Sequence, residues 1–362
     1  MEGTEKPPMR RRERHRTRAG ALVAGVLLVL LLAFALSRLG LHRIGHALIT
    51  AKPGWVALAV VLMALSLLMR SIAWHETLRA ALPEMAIEWA PVMRATMIGV
   101  MASAMFPGRV GEPTRIVVLT RRLPGSARRL LPIVAGTVFS QTLINLLALV
   151  ILAGVTFTSV PLLHGHASGI VPALAVPLLV GMLVVVGPRL LALARRSRHP
   201  RMAAAADATA RVLSLARRGL VVFARPRYGV AAVGCQLTAW ALQWLACYAV
   251  VLALGLQSQA GLATAAAILL AVNVSAVLPA TPSNVGVFQA ACLVVMAAYG
   301  VGAGPGLAYG IILQAVEVLT ALALGIPALL GEGLTWQDIR PGTGAEPESQ
   351  PSAGEGAERL SQ

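Results

Sequence analysis

The sequence predicts an all-α polytopic membrane protein, with about six full spans, two re-entrant broken-helix hairpins and a candidate inverted repeat. Three observations carry the prediction. Of 362 residues, 57% are apolar and only 13% charged, against about 25% charged in soluble domains. The apolar residues fall in runs separated by short polar links, several of them long enough to cross a hydrocarbon core about 30 Å thick. The formal charge of +16 is almost wholly arginine, with Lys6 and Lys52 the only lysines, and it lies in blocks between apolar runs. That placement follows the positive-inside rule and argues against nucleic acid as a partner, which would call for a basic face or stripe.

Residues 1–18 are polar and basic and read as a cytoplasmic N-terminus. Ala19 to Leu36 is the first span; the alternative is a signal peptide cleaved near Ala33-Phe34-Ala35. Gly54 to Met69 is the second span, returning the chain to the cytoplasm near Arg70 and Trp74. Residues 75–91 scatter Glu76, Arg79, Glu84 and Glu88 among apolar positions and read as an interfacial segment. Pro91 to Met105 is apolar apart from Arg94 but shorter than the roughly 20 residues a crossing helix needs. The stretch from Phe106 to Arg115, FPGRVGEPTR, follows; its prolines and glycines break a helix. A short apolar run, Ile116 to Leu119, leads to the cluster Arg121, Arg122, Arg128 and Arg129.

Leu130 to Thr158 is long enough to span with tilt. The uncharged loop after it, with His164 and His166, reads as external, and Val171 to Val186 returns. Arg189 to Arg227 holds ten arginines and one acid, Asp207, the largest basic block. Tyr228 to Leu254 crosses again. Two apolar runs, Leu262 to Leu278 and Val285 to Ala298, then flank Pro279-Ala-Thr-Pro-Ser-Asn284, and Gly306 to Leu330 is the last span. Residues 19–331 thus read as one transmembrane domain. Residues 332–362, rich in Gly, Pro, Ser and Glu, read as a disordered cytoplasmic tail.

Charge placement decides the topology. If Pro91 to Met105 crosses, the basic N-terminus faces away from the other basic blocks; if it enters from the cytoplasm and turns back through Phe106 to Arg115, all of them lie inside. The sequence therefore favours a re-entrant hairpin, with a second broken pair at 262–298 that enters from the outside in the same manner or crosses twice, the parity being the same either way. Both termini are then cytoplasmic and the protein sits in the plasma (inner) membrane. Paired breaks in the two halves point to a substrate site near the midplane.

Few residues can carry chemistry there. Arg109, Glu112 and Arg115 recur at three-residue spacing, and arginine forks match phosphate in a bidentate manner. An anionic lipid headgroup is one ligand that fits; an Arg–Glu pair locking the loop is the other reading. Glu317 is the only charged residue between Tyr228 and Leu330 and lies on a stripe with Gln314 and Thr320. It reads as a proton or cation site, an acceptor for an arginine of the first break, or a polar contact between helices. Thr281, Ser283, Asn284 and Gly286, with the prolines beside them, offer uncharged groups at the second break; a tight external turn is the alternative. Gln141 and Asn145 read as joining helices. Cys235, Cys247 and Cys292 all lie in apolar runs without paired spacing and read as buried structural thiols. No metal or cofactor signature and no enzyme motif appears.

FPGRVGEPTR, followed later by ATPSNVGVFQAACL and a final apolar helix, resembles the lysylphosphatidylglycerol synthase transmembrane-region family of the flippase-like superfamily. The resemblance covers about residues 20 to 331. It implies a multi-helix membrane domain with re-entrant helices that moves lipids or lipid-linked precursors between leaflets. Arg109, Gly111, Glu112 and Arg115 match the first motif residue by residue. In the second, Ser283 and Asn284 stand where the family carries paired glycines, and Gln289 where an acid is common. The cytosolic aminoacyl-transferase domain of the full-length synthases is missing from this sequence. The resemblance thus implies an anionic phospholipid or lipid-linked glycan as ligand and no catalytic role. The alternative is a non-transporting partner docking a separate synthase or glycosyltransferase through residues 189–227.

Overall fold

The computed structural model describes residues 51–106, 110–159, 220–276 and 284–332. Among these residues the chain is helical and contains no strand. The helices are α1 (Pro53–Ala81), α2 (Trp89–Met105), α3 (Gly111–Arg122), α4 (Ala127–Ser159), α5 (Pro226–Ala253), α6 (Leu262–Ser275), α7 (Val287–Ala298) and α8 (Ala303–Gly331). The spans expected at 19–36 and 171–186, most of the arginine block, the basic N-terminus and the tail beyond Glu332 lie outside the described residues.

Four helices, α1, α4, α5 and α8, are long and apolar enough to cross a membrane. The others are short. At 1.5 Å per residue, the 17 residues of α2 reach about 25 Å, less than the hydrocarbon thickness of about 30 Å. The 14 residues of α6 and 12 of α7 reach less still. Each short helix packs on its neighbour, α2 against α3 and α6 against α7, so both interrupted stretches form hairpins of packed half-helices.

Two expected boundaries are corrected. The helix of the second span does not stop at Met69: α1 runs on through Arg70 to Ala81, because Trp74, Thr77 and Leu78 continue a buried face at helical spacing. The interruption after α2 is also narrower than FPGRVGEPTR suggests, since α3 already begins at Gly111. Pro113 is tolerated because a first-turn residue has no intrahelical use for its N–H. Thr114 closes the first turn, donating to the Val110 carbonyl from its backbone N–H at 3.1 Å and its hydroxyl at 2.8 Å.

α8 holds the hairpins together. Lipid tails are as apolar as a core, so helices in a bilayer associate through close packing and polar contacts rather than through water exclusion. Gly310 lets α7 approach α8 so closely that a Cβ there would lie 3.1 Å from the Gln289 Cα, and at Gly325 it would lie 2.5 Å from the Met101 side chain of α2. The N-terminal half of α8 thus carries the second hairpin and its C-terminal half the first. Glu332, assigned by composition to the tail, instead ends α8 with a buried carboxylate between Arg94 of α2 at 2.9 Å and Arg122 of α3 at 2.5 Å.

The apolar side chains form two main clusters. One gathers Met63, Val250, Ile268, Cys292, Tyr309 and Leu313 with their neighbours. The other gathers Trp74, Leu78, Ile98, Met101, Leu119 and Leu329 with theirs. α1, α4 and α8 pass through both, and a layer of polar side chains lies between them.

Candidate functional site

The polar layer is built from the middles of the long helices. Glu317 is the central residue of α8; Arg70 of α1, Gln141 and Asn145 of α4, and Gln236 and Gln243 of α5 each stand within about one turn of their own helix midpoint. An arginine at the centre of a spanning helix costs about 2.5–3.5 kcal/mol on insertion scales, so its surroundings must compensate. Amides supply the compensation here. The Arg70 guanidinium donates through Nη2 to Gln243 Oε1 at 2.7 Å, and Gln141 donates to the Arg70 carbonyl at 3.0 Å. Gln141 also reaches Gln236 Oε1 at 3.3 Å, and Asn145 Oδ1 accepts from Gln236 at 2.6 Å and from Trp240 at 3.1 Å. Gln141 and Asn145 therefore do join helices.

Arg115 enters this network from the first hairpin. It is 9% exposed, lies 4.9 Å over the Trp74 ring and donates from Nη1 to Gln141 Oε1 at 2.9 Å. Its Nη2 pairs with Glu112, one turn back on α3. The three-residue spacing thus becomes a real helical face. Trp74 is fixed in turn by its Nε1–H donating to Thr137 at 3.0 Å. The two arginines share one bridge, Gln141, and each keeps a buried Nε with no acceptor.

From the second hairpin a matching line of contacts reaches α8. Gly286, at φ 89°, donates its N–H to Gln289 Oε1 at 2.6 Å. Gln289 then donates to Gln314, one turn before Glu317 on α8. Glu317 is partly buried, and among the described residues it makes no hydrogen bond or ion pair. Polar side chains therefore approach the middle of the bundle from both breaks: Gly286, Gln289 and Gln314 lead to the turn of α8 that carries Glu317, and Glu112, Arg115, Gln141 and Arg70 form the other line. The two lines of this polar track start at the N-terminal ends of the half-helices α7 and α3.

The remaining expected site residues divide. Arg109, Thr281 and Ser283 lie outside the described residues. Gly111 sits where α3 crosses α2, and a Cβ there would fall 2.0 Å from the Gly99 carbonyl oxygen and 2.2 Å from Ser103 Oγ. Asn284 adopts φ 55°, and both polar atoms of its carboxamide are buried without a hydrogen-bond partner. Cys247 and Cys292 are buried and free, whereas Cys235 is only partly buried. No group of three metal-ligating side chains occurs among the described residues. Arg70 is the residue the sequence reading missed as a site candidate, having taken it for the membrane boundary.

No curated protein and no solved structure matches the chain. The family model described as lysylphosphatidylglycerol synthase TM region matches residues 20–325, most of the chain's length. This is a multi-pass membrane protein with a buried polar track at mid-helix, and it belongs to the lysylphosphatidylglycerol synthase transmembrane-region family.

Proposed function

We propose that the protein translocates a phospholipid or lipid-linked precursor between leaflets, with the headgroup phosphate engaged by arginines at the polar track. One observation carries the reading: polar side chains reach the middle of the bundle from both helix breaks, and the two guanidiniums there, Arg70 and Arg115, each retain an unused N–H. A phosphodiester supplies acceptors for such forks in a bidentate manner. The positive ends of α3 and α7, which border the track, favour an anion as well. Arg115, on the second turn of α3, is the described arginine of the first break, and Arg109 its expected second. Asn284 offers an unmatched carboxamide to the polar part of the headgroup. No catalytic role is proposed for this chain.

The test is a reconstituted translocation assay with fluorescent phosphatidylglycerol in proteoliposomes of the purified full chain. Arg115→Gln keeps the shape and some hydrogen bonding but removes the charge, and a loss of at least tenfold in rate is expected. Arg109→Ala is expected to abolish translocation. Wild-type rates in both variants would refute the assignment.

A further inference from the structure

We propose that Arg94 and Arg122, toward the open end of the first hairpin, form a binding site for a phosphate oxyanion of the headgroup layer, and that the Glu332 carboxylate occupies this site until a phosphate displaces it. The site is separate from the arginines at mid-helix, and the inference does not depend on translocation.

Helix lengths give the position. The 29 residues of α8, at 1.5 Å each, reach roughly 44 Å, past a hydrocarbon core of about 30 Å and into the headgroup region. Glu332 follows the last residue of α8, while Arg94 reaches it from α2 and Arg122 from the last turn of α3. Each limb of the hairpin thus supplies one arginine, and the end of α8 supplies the acid. Arg121, beside Arg122, and Arg129, in the first turn of α4, are exposed, and among the described residues neither makes an ion pair.

The seat is short of negative charge and of acceptors, because two guanidiniums share one carboxylate. Arg122 is satisfied: its Nε donates to Glu332 Oε2 at 2.5 Å and its Nη2 to the Glu332 backbone carbonyl at 3.1 Å, which covers an otherwise orphaned carbonyl at the helix end. Arg94 is not. Its Nε lies 2.9 Å from Oε1 but off the hydrogen-bond direction, so that N–H is buried without an acceptor. The planar carboxylate aligns with one fork only, whereas the oxygens of a phosphate diverge tetrahedrally and can meet both.

Glu332 is also a displaceable occupant. Its charge stands at the C-terminal end of α8, where the helix dipole is negative and repels it. Its side chain is 3% exposed, yet those of Arg94 and Arg122 are 35% and 51% exposed. The seat therefore encloses the acid while its arginines stay open to an incoming anion. Ion pairs with partners this exposed are weak, and the carboxylate regains water on leaving. A headgroup phosphate brings at least one negative charge and more acceptor oxygens than the group it replaces.

The test is calorimetric titration of a short-chain phosphatidylglycerol into the purified full chain in detergent. Glu332→Gln removes the competing charge and is expected to tighten binding about fivefold, the factor that an exposed ion pair is worth. The gain is expected to persist in an Arg115→Gln background and to vanish when Arg94→Gln and Arg122→Gln are added. Inorganic phosphate is the second arm: a gain with the ion as well as the lipid supports a site that reads phosphate alone, and a gain with the lipid only supports a site for the headgroup in its layer. Glu332→Asp, which draws the carboxylate back by one methylene, is expected to show a smaller gain and serves where Glu332→Gln does not purify folded. No gain in either Glu332 variant, a gain that survives the loss of both arginines, or one that requires Arg115 overturns the proposal.

Discussion

Replacing Gly111 by alanine tests whether the α2–α3 crossing positions Arg115. The perturbation is a single methyl group. Its carbon would fall 2.0 Å from the Gly99 carbonyl oxygen and 2.2 Å from Ser103 Oγ, while ordinary contact begins near 3.4 Å. The first obstacle is backbone, so no rotamer change relieves it, and the half-helices must separate by more than about 1 Å. Overpacking of this kind costs about 1–3 kcal/mol, occasionally more. A shift of that size also carries the 2.9 Å contact between Arg115 and Gln141 out of hydrogen-bond range. Gly234 on α5 provides the control, since a Cβ there meets nothing within 4 Å and alanine in a helix interior is favoured over glycine by about 0.5–1 kcal/mol. Thermal unfolding of both variants in detergent is expected to show opposite signs, Gly111→Ala lowered and Gly234→Ala unchanged or raised. Equal stability of Gly111→Ala and wild type would refute the packing argument, and full translocation activity in it would refute the positioning argument.

The other predictions concern single contacts. Trp74→Leu keeps an apolar residue under Arg115 but removes the ring; a desolvated cation–π contact is worth about 2 kcal/mol, and binding of a phosphatidylglycerol headgroup is expected to weaken. Unchanged affinity would show that the ring only fills space. Glu332→Gln removes the carboxylate shared by Arg94 and Arg122. Because both arginines are substantially solvent-accessible, the loss is expected to stay near 1 kcal/mol, seen as a small drop in melting temperature; a larger loss would mean the arginines have no other solvation. Single cysteines introduced from 106 to 115 are expected to react with a cytoplasmic reagent, and labelling from the external side alone would refute the re-entrant hairpin.

The long helices were legible because their apolar runs outlast any soluble core helix, and the two breaks because proline and glycine leave no regular alternative. Arg70 was obscured by the same rule that found the spans. A hydropathy reading stops at the first arginine, yet Trp74 and Leu78 follow it at four-residue spacing and α1 continues beneath them. Glu332 was hidden for a related reason: composition assigned it to a polar tail, while its buried carboxylate depends on arginines distant in sequence. Gly111 drew attention as part of a ligand loop, whereas its surroundings show close helix approach, which sequence spacing cannot distinguish from ligand contact. Partnerships between distant residues, such as Gln289 with Gln314 or Arg115 with Gln141, require the tertiary path of the chain and no local pattern announces them.

The amide composition of the track bears on how it could work. Gln141, Asn145, Gln236, Gln243, Gln289 and Gln314 each carry a donor and an acceptor on one planar group. Carboxylates at the same positions would bind the arginines more tightly but would leave several uncompensated charges once an anionic headgroup arrived. Apolar residues would leave the Arg70 guanidinium without its Gln243 acceptor, at the cost of an orphaned buried guanidinium. An amide avoids both penalties. It satisfies a guanidinium without fixing its charge state and can turn to present the other pole. The present geometry has Gln141 accepting from the Arg115 guanidinium while donating to the Arg70 backbone carbonyl and to Gln236, so it touches both arginine residues. A Gln141→Glu variant would add a fixed negative charge between them and compete with the phosphate, whereas Gln141→Leu would remove the bridge without adding charge. If the track exchanges counter-ions, Gln141→Glu is expected to weaken phosphatidylglycerol binding by at least tenfold more than Gln141→Leu, and the gap should narrow as pH falls and the new acid is neutralised. Equal losses in the two variants, independent of pH, would reduce the track to a structural seam between the two cores.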